Sequence, residues 1–215
     1  MKLDIPSLII QMLEYTKISL VIFFLTLIFA LPLGLAISLL RMSKLKILNI
    51  PIRVYLLIVR GTPLMLQLLF IYFAPYYLLG LSYDRFVAAI LAFTLNYAAY
   101  FAEIYRGGIE SISKGQYEAA SMLGFTKLHT FIKIILPQVV KRILPSMGNE
   151  FMTLVKDTAL AQTIAVAELF RIASNAASRA SSTLPYIIAG IIYLILNSLI
   201  EWIFNKVEKH LDYYK

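Results

Sequence analysis

Residues 18–40 are 23 consecutive positions without a charged side chain, and residues 61–83 are another 23. A helix needs about 20 apolar residues to cross the ~30 Å hydrocarbon layer of a bilayer. Inside lipid every backbone N–H and C=O must be satisfied by the segment itself, which a helix does. Two further uncharged runs, 86–102 with 17 residues and 180–200 with 21, make four clear spans. Composition agrees: 60% of the 215 residues are hydrophobic, against roughly 45–50% apolar in soluble domains. The expected fold is all-α, a polytopic transmembrane helical bundle forming one domain over residues 1–215. No cleavable leader is expected, because the first long apolar run starts behind Asp4 and Glu14 and is too long for one.

A fifth span is expected over residues 143–167, although Glu150, Lys156 and Asp157 lower its hydropathy. The reason is the excess of Lys and Arg that cytoplasmic loops carry. With five spans and an external N-terminus, Arg41, Lys44, Lys46, Arg53 and Arg60 fall inside after the first helix. Arg106, Lys114, Lys127, Lys133, Lys141 and Arg142 follow after the third, and Lys206, Lys209 and Lys215 after the fifth, so the C-terminus is cytoplasmic. Only Lys2, Lys17, Arg85, Arg171 and Arg179 remain outside. Orientation and anionic lipid headgroups account for the net charge of +8, so a nucleic-acid partner is not inferred. Leu8, Ile9, Met12 and Leu13 cluster at helical spacing ahead of the first run, which predicts a short separate helix lying on the outer leaflet.

The chemistry-bearing residues point away from an enzyme. Zero cysteines exclude disulfides and thiolate sites, and His129 and His210 stand too far apart to suggest a metal site. The nine glycines contain no phosphate-cradling spacing followed by Lys and Ser or Thr, so ATP is not hydrolysed here by that route. Ser198 and Asp157 lack neighbours that would make an intramembrane protease. No cofactor or metal is expected.

The segment of about 107–141 carries the richest local signals. Ser113 and Gln116 form a capping box that should start a helix. That helix runs through Glu118, Ala119, Ala120 and Leu123, and Gly124 sits where a left-handed C-terminal cap is wanted. Thr126 can cap a second short helix bearing Phe131, Ile132 and Ile135, which Pro137 should close. A helix-turn-helix with small and apolar residues facing water generally awaits a partner.

Glu118-Ala119-Ala120, Gly124, Ile134 and Leu136-Pro137 match the EAA signature of ATP-binding-cassette importer permeases. Arg60-Gly61-Thr62-Pro63, Glu103-Ile104-Tyr105-Arg106-Gly107-Gly108-Ile109, Lys114-Gly115-Gln116 and Lys156-Asp157-Thr158 resemble the polar amino acid branch of that superfamily. The resemblance implies a five-helix permease in a prokaryotic cell membrane that pairs with a second permease subunit, the same or different. It implies two cytoplasmic ATPase subunits docked on the loop through Glu118, Ala119, Ala120, Gly124, Leu136 and Pro137, and an extracytoplasmic amino-acid-binding protein that delivers substrate. A passive channel has no use for such a dock.

Charges at membrane depth cost at least ~2.5–3.5 kcal/mol each, so they need a partner or a role. Asn96, Tyr100, Glu103 and Gly107 form one helical stripe, and Glu150, Thr153, Asp157 and Ala161 form another. Facing each other, with Gln67, they would line a substrate cavity. Lys156 is expected to pair across to Glu103 or Glu150, leaving Asp157 for the ligand. Glu103 can alternatively reach Arg106 at i+3. Three carboxylates against one cation point to a basic substrate (arginine, lysine or histidine), with glutamine, an opine or a dipeptide as the alternative. The α-carboxylate would meet backbone N–H groups freed if the helix unwinds near Thr158.

Overall fold

The computed structural model describes residues 4–211. Lys2 and Lys215, counted in the charge argument, lie outside them. The described residues form helices α1 (Ile5–Met42), α2 (Lys46–Gly61), α3 (Leu64–Leu79), α4 (Arg85–Glu110), α5 (Lys114–Met122), α6 (Lys127–Thr130), α7 (Leu136–Asp157), α8 (Leu169–Ala180) and α9 (Leu184–His210). A π-helical turn, Phe131–Ile135, joins α6 to α7, and a 3-10 segment, Thr158–Ile164, follows α7.

By length and composition α1, α4 and α9 can each cross a membrane. The apolar run of residues 61–83 supplies the 16-residue α3, which meets α2 at 111°, and the two together make a fourth candidate. The break follows from Pro63, whose ring pushes the preceding residue out of the helical region. Thr62 is accordingly extended, at φ −123° and ψ 149°. Gln67 fastens the corner, its Nε2 donating to the carbonyl oxygens of Val59 at 2.8 Å and Thr62 at 3.1 Å. The charged α7 does not qualify on composition, yet it packs against α4, α9 and α1.

The expected separate outer helix is absent. Residues 8–13 are instead the opening turns of the 38-residue α1, because no proline or glycine interrupts the chain between Pro6 and the first apolar run. Leu8 and Met12 are buried with Leu169, Ile172 and Ala173 of α8 and Ala189 of α9.

Helix α4 is the central post. Within a bilayer the lipid tails are as apolar as the side chains, so helix association rests on close packing of small residues. Ala88, Ala92, Ala98, Ala99 and Ala102 of α4 are fully or almost fully buried, and Gly34 of α1 lies against them. A Cβ added at Gly34 would stand 2.9 Å from Phe101 Cβ and 3.0 Å from the Ala98 carbonyl oxygen. Because one of these neighbours is backbone, Gly34→Ala is expected to cost about 1–3 kcal/mol of overpacking. A clear fall in the thermal midpoint of the purified protein checks this; an unchanged midpoint contradicts it.

Candidate substrate site and coupling loop

The two polar stripes lie on α4 and α7 as expected, but their partners differ. Asp157 Oδ2 accepts a 2.7 Å bond from the Tyr97 hydroxyl, a residue one position off the α4 stripe that sequence reasoning passed over. Glu150 and Asp157 are half-buried, lie seven residues apart on one face of α7, and form no ion pair among the described residues. Lys156 makes neither expected pairing. It lines an exposed surface with Asn149, Thr153 and Tyr193 and makes no ion pair with Asp157, though its charge reaches that carboxylate.

Glu103 is instead surrounded by arginines. Arg106 Nη2 lies 2.7 Å from Oε2, with its Nε 3.2 Å from both carboxylate oxygens. Arg60 Nη1 is 3.6 Å away and Arg41 Nε 3.9 Å. Glu110 takes the other arm of Arg106 at 2.5 Å. The C-terminal ends of α1, α2 and α4 thus converge on one carboxylate that is 17% exposed. The i+3 alternative from the sequence is the geometry found, with two more arginines, Arg41 from the last turn of α1 and Arg60 from the α2–α3 corner. Arg60 also lies over the Tyr100 ring, 5.6 Å from its centroid.

Asn96, almost completely buried, donates to Gln67 Oε1 at 3.0 Å. Those two side chains join the α2–α3 corner to α4. The helix does change pitch at Thr158, but it tightens to 3-10 rather than opening. The Thr158 N–H still donates to Leu154 O, and its buried hydroxyl donates to Val155 O at 2.7 Å. The freed backbone donors expected there are not formed.

A fourth carboxylate, Glu168, escaped the sequence reading. It is fully buried, accepts from the N–H groups of Phe170 at 2.8 Å and Arg171 at 2.7 Å, and so caps α8. Tyr193 Oη of α9 and Ser19 Oγ of α1 also donate to it. An acidic residue immediately before an amphipathic stretch was the available signal, since a carboxylate at an N-cap satisfies orphan backbone donors.

In the loop, Ser113 caps α5, accepting from Gly115 N at 3.3 Å. Gly124 has φ +79°, and its N–H reaches Ser121 O while that of Phe125 reaches Ala120 O. This pair of bonds is the Schellman closure that a left-handed glycine permits. Thr126 Oγ1 accepts from His129 N. One expectation fails: Pro137 does not close the second helix. The π turn just before it widens the backbone where the ring would meet the preceding carbonyls, so the chain continues into α7. Glu118, Ala119 and Gly124 are exposed, as are Met122, Leu123 and Leu128, whereas Ala120 is 2% exposed. Ile112, Ile135 and Val139 form a small buried core at the base of the loop, and Arg142 Nη1 donates to Ser111 O at 2.5 Å.

A family model described as binding-protein-dependent transport system inner membrane component matches residues 30–213. The L-cystine transport system permease protein TcyB of Bacillus subtilis (strain 168) is 41% identical over 192 residues, covering 88% of this chain and 82% of that protein. The arginine transport system permease protein ArtQ of the same organism is 39% identical over 215 residues, covering 98% of each. A crystal structure of an amino acid ABC transporter with histidines shares the fold at a TM-score of 0.88 and 33% identity, covering 98% of this chain and 100% of that one.

Proposed function

We propose that this chain, which belongs to the family of binding-protein-dependent transport system inner membrane components, is the permease subunit of an ATP-driven amino acid importer whose substrate carries a cationic side chain. It is a membrane-embedded transporter subunit rather than an enzyme; ATP is hydrolysed by partner subunits, and a binding protein presents the substrate. Its relatives are named for cystine, glutamine and arginine transport, which supports amino acids as the class. Counting α7 as a fifth span places the N-terminus outside and the C-terminus with α5 and α6 in the cytoplasm, in keeping with the distribution of Lys and Arg.

The preference for a cation rests on one observation, the pair Glu150 and Asp157. The negative excess inferred from sequence persists with different membership. Glu103 is neutralised by arginines, which leaves two half-buried carboxylates on one face of α7 that form no ion pair among the described residues and feel only the longer-range positive charges of Arg60 (at Glu150) and Lys156 (at Asp157). A charge-assisted bond from a ligand ammonium or guanidinium is about twice as strong as a neutral one. Asn96, Gln67 and Thr158 act behind this surface, holding the α2–α3 corner and the pitch change in place.

Competition tests the reading. Uptake of labelled arginine by the complex reconstituted in liposomes should be inhibited strongly by excess lysine and weakly by citrulline, the neutral isostere. Glu150→Gln combined with Asp157→Asn should lower arginine uptake about tenfold or more, the effect of losing one to two charge-assisted bonds. Citrulline or glutamate competing as well as arginine, with lysine inert, would overturn the preference for a cation.

A further inference from the structure

We propose that Arg60 receives the α-carboxylate of the transported amino acid, at the end of the site away from Asp157. The assignment rests on the substrate reading above and completes its charge balance.

An amino acid with a cationic side chain brings two positive charges and one negative. Glu150 and Asp157 match the first two; the negative one needs a donor. Backbone at Thr158 does not provide it, because that N–H is held by Leu154 O. Lys156 is turned onto the α9 side. The arginine cluster remains, and its members are not equivalent. Arg106 is held by Glu103 at 2.7 Å and by Glu110 at 2.5 Å. Arg41 is anchored to Asn49, whose Oδ1 accepts from its Nη1 at 3.4 Å and whose Nδ2 donates to its carbonyl oxygen. Arg60 has the most exposed side chain of the three, 43% against 24% and 27%, and its contact with Glu103 is a loose 3.6 Å with no hydrogen bond.

Three guanidinium groups share two carboxylates there, Glu103 and Glu110. Counted by ion pairs, one positive charge is therefore in excess, and Arg60, which has no hydrogen-bonded carboxylate and whose other charged neighbour is Glu150, carries it. Withdrawal of Arg60 toward a ligand leaves Glu103 still held by Arg106. Position agrees as well. Arg60 stands over Tyr100, Tyr100 neighbours Tyr97 at 6.3 Å between ring centroids, and Tyr97 bonds Asp157. Two aromatic rings of α4 thus lie between Arg60 and Asp157, while Glu150 is near enough to Arg60 for their charges to interact. The arrangement suits a substrate whose α-ammonium sits beside its carboxylate and whose cationic side chain lies several methylenes away. Guanidinium suits the task, since its planar fork matches a carboxylate in two parallel bonds.

The test is equilibrium binding of labelled arginine to the purified permease–ATPase complex, displaced either by arginine or by agmatine, which is arginine without its carboxylate. In the unmodified complex arginine should displace at far lower concentration than agmatine. Arg60→Gln should shrink that ratio about tenfold or more, mainly through weaker arginine binding, and Arg60→Lys, which keeps the charge without the fork, should shrink it less. A fall in arginine affinity with the ratio unchanged is the result of a merely structural role and overturns the proposal. Where Arg60→Gln does not assemble, an unchanged ratio in Arg60→Lys overturns it equally. The outcome is separable from the preference for a cation: if glutamine binds in place of arginine, that reading fails, while glutamine against its α-amide still measures the contribution of Arg60 to carboxylate binding.

Discussion

Replacing Glu103 with alanine is expected to cost the folded protein about 3 kcal/mol and to scatter the C-terminal ends of α1, α2 and α4. Arg41, Arg60 and Arg106 all lie within 4 Å of that carboxylate, and without it only Glu110 remains to offset three like charges. Removing one partner from a buried pair costs roughly 3–5 kcal/mol because the remaining charge is left uncompensated. The arginines here are only partly buried, so solvent screening places the loss at the lower end of that range. Alanine also deletes the acceptor that three arginines share, whereas Glu103→Gln keeps an oxygen for Arg106 and should lose less. The measurement is the thermal midpoint, with the fraction of monodisperse complex after detergent extraction as a second reading. A double-mutant cycle sharpens it: Glu103→Ala with Arg60→Ala should be less damaging than the sum of the single changes, since the second removes part of the repulsion created by the first. Strict additivity, or a Glu103→Ala midpoint equal to that of the unmodified protein, would show that this convergence contributes nothing to stability.

Much of the scaffold was legible because the bilayer restricts what a sequence can do. Residues 18–40, 86–102 and 180–200 announce α1, α4 and α9 by the absence of charge alone. Local capping chemistry was equally readable, since Thr126 and Gly124 act within a few residues of themselves. Pairings between distant segments were not. The run of residues 61–83 looks like a complete span to a hydropathy argument, yet Pro63 at its start sets its helix at 111° to α2, and that corner is what delivers Arg60 to Glu103. Without the corner, Lys156 looked like the natural partner for a carboxylate. Its 100° displacement from Asp157 was available from helical geometry, but which face meets α4 was not. Tyr97 was missed for a related reason: a stripe drawn through Asn96, Tyr100 and Glu103 excludes the neighbour whose hydroxyl reaches Asp157. Pro137 shows the reverse error, a residue whose usual meaning is cancelled by an adjacent π turn.

The largest functional loss is expected from the coupling loop, where Glu118→Lys combined with Gly124→Glu should abolish transport while leaving substrate binding intact. The loop presents Glu118 and Ala119 beside the exposed apolar tip of Met122 and Leu123, which are 89% and 75% exposed. An apolar cluster of this kind on a short, rigidly closed helix has the character of a dock for the ATPase subunit implied by the family. Rigidity comes from the Schellman closure at Gly124, where φ is +79° and nothing lies within 4 Å of an added Cβ. Glutamate at that position therefore meets no internal clash; it incurs about 1–2 kcal/mol of left-handed backbone strain and places a charge in the docking surface. Lysine at 118 reverses the charge offered to the partner, an effect worth roughly 2–5 kcal/mol when the pair is desolvated, or a thirtyfold or greater loss of affinity. The consequence reaches the pathway through the base of the loop, where Ile112, Ile135 and Val139 tie α5 and α6 to the end of α4 and the start of α7. Gly108 of α4 sits so close to Ile143 of α7 that an added Cβ would approach its methyl carbon at 2.2 Å. A displacement of the loop is thus expected to reach α7, the helix that bears Glu150 and Asp157, through these packed side chains. Co-purification of the tagged variant with its ATPase, uptake by the reconstituted complex, and equilibrium binding of labelled arginine are the three measurements. The first two should be lost and the third retained. Normal co-purification and uptake in the double variant would remove the loop from the coupling path, and loss of arginine binding together with uptake would assign it a structural role instead.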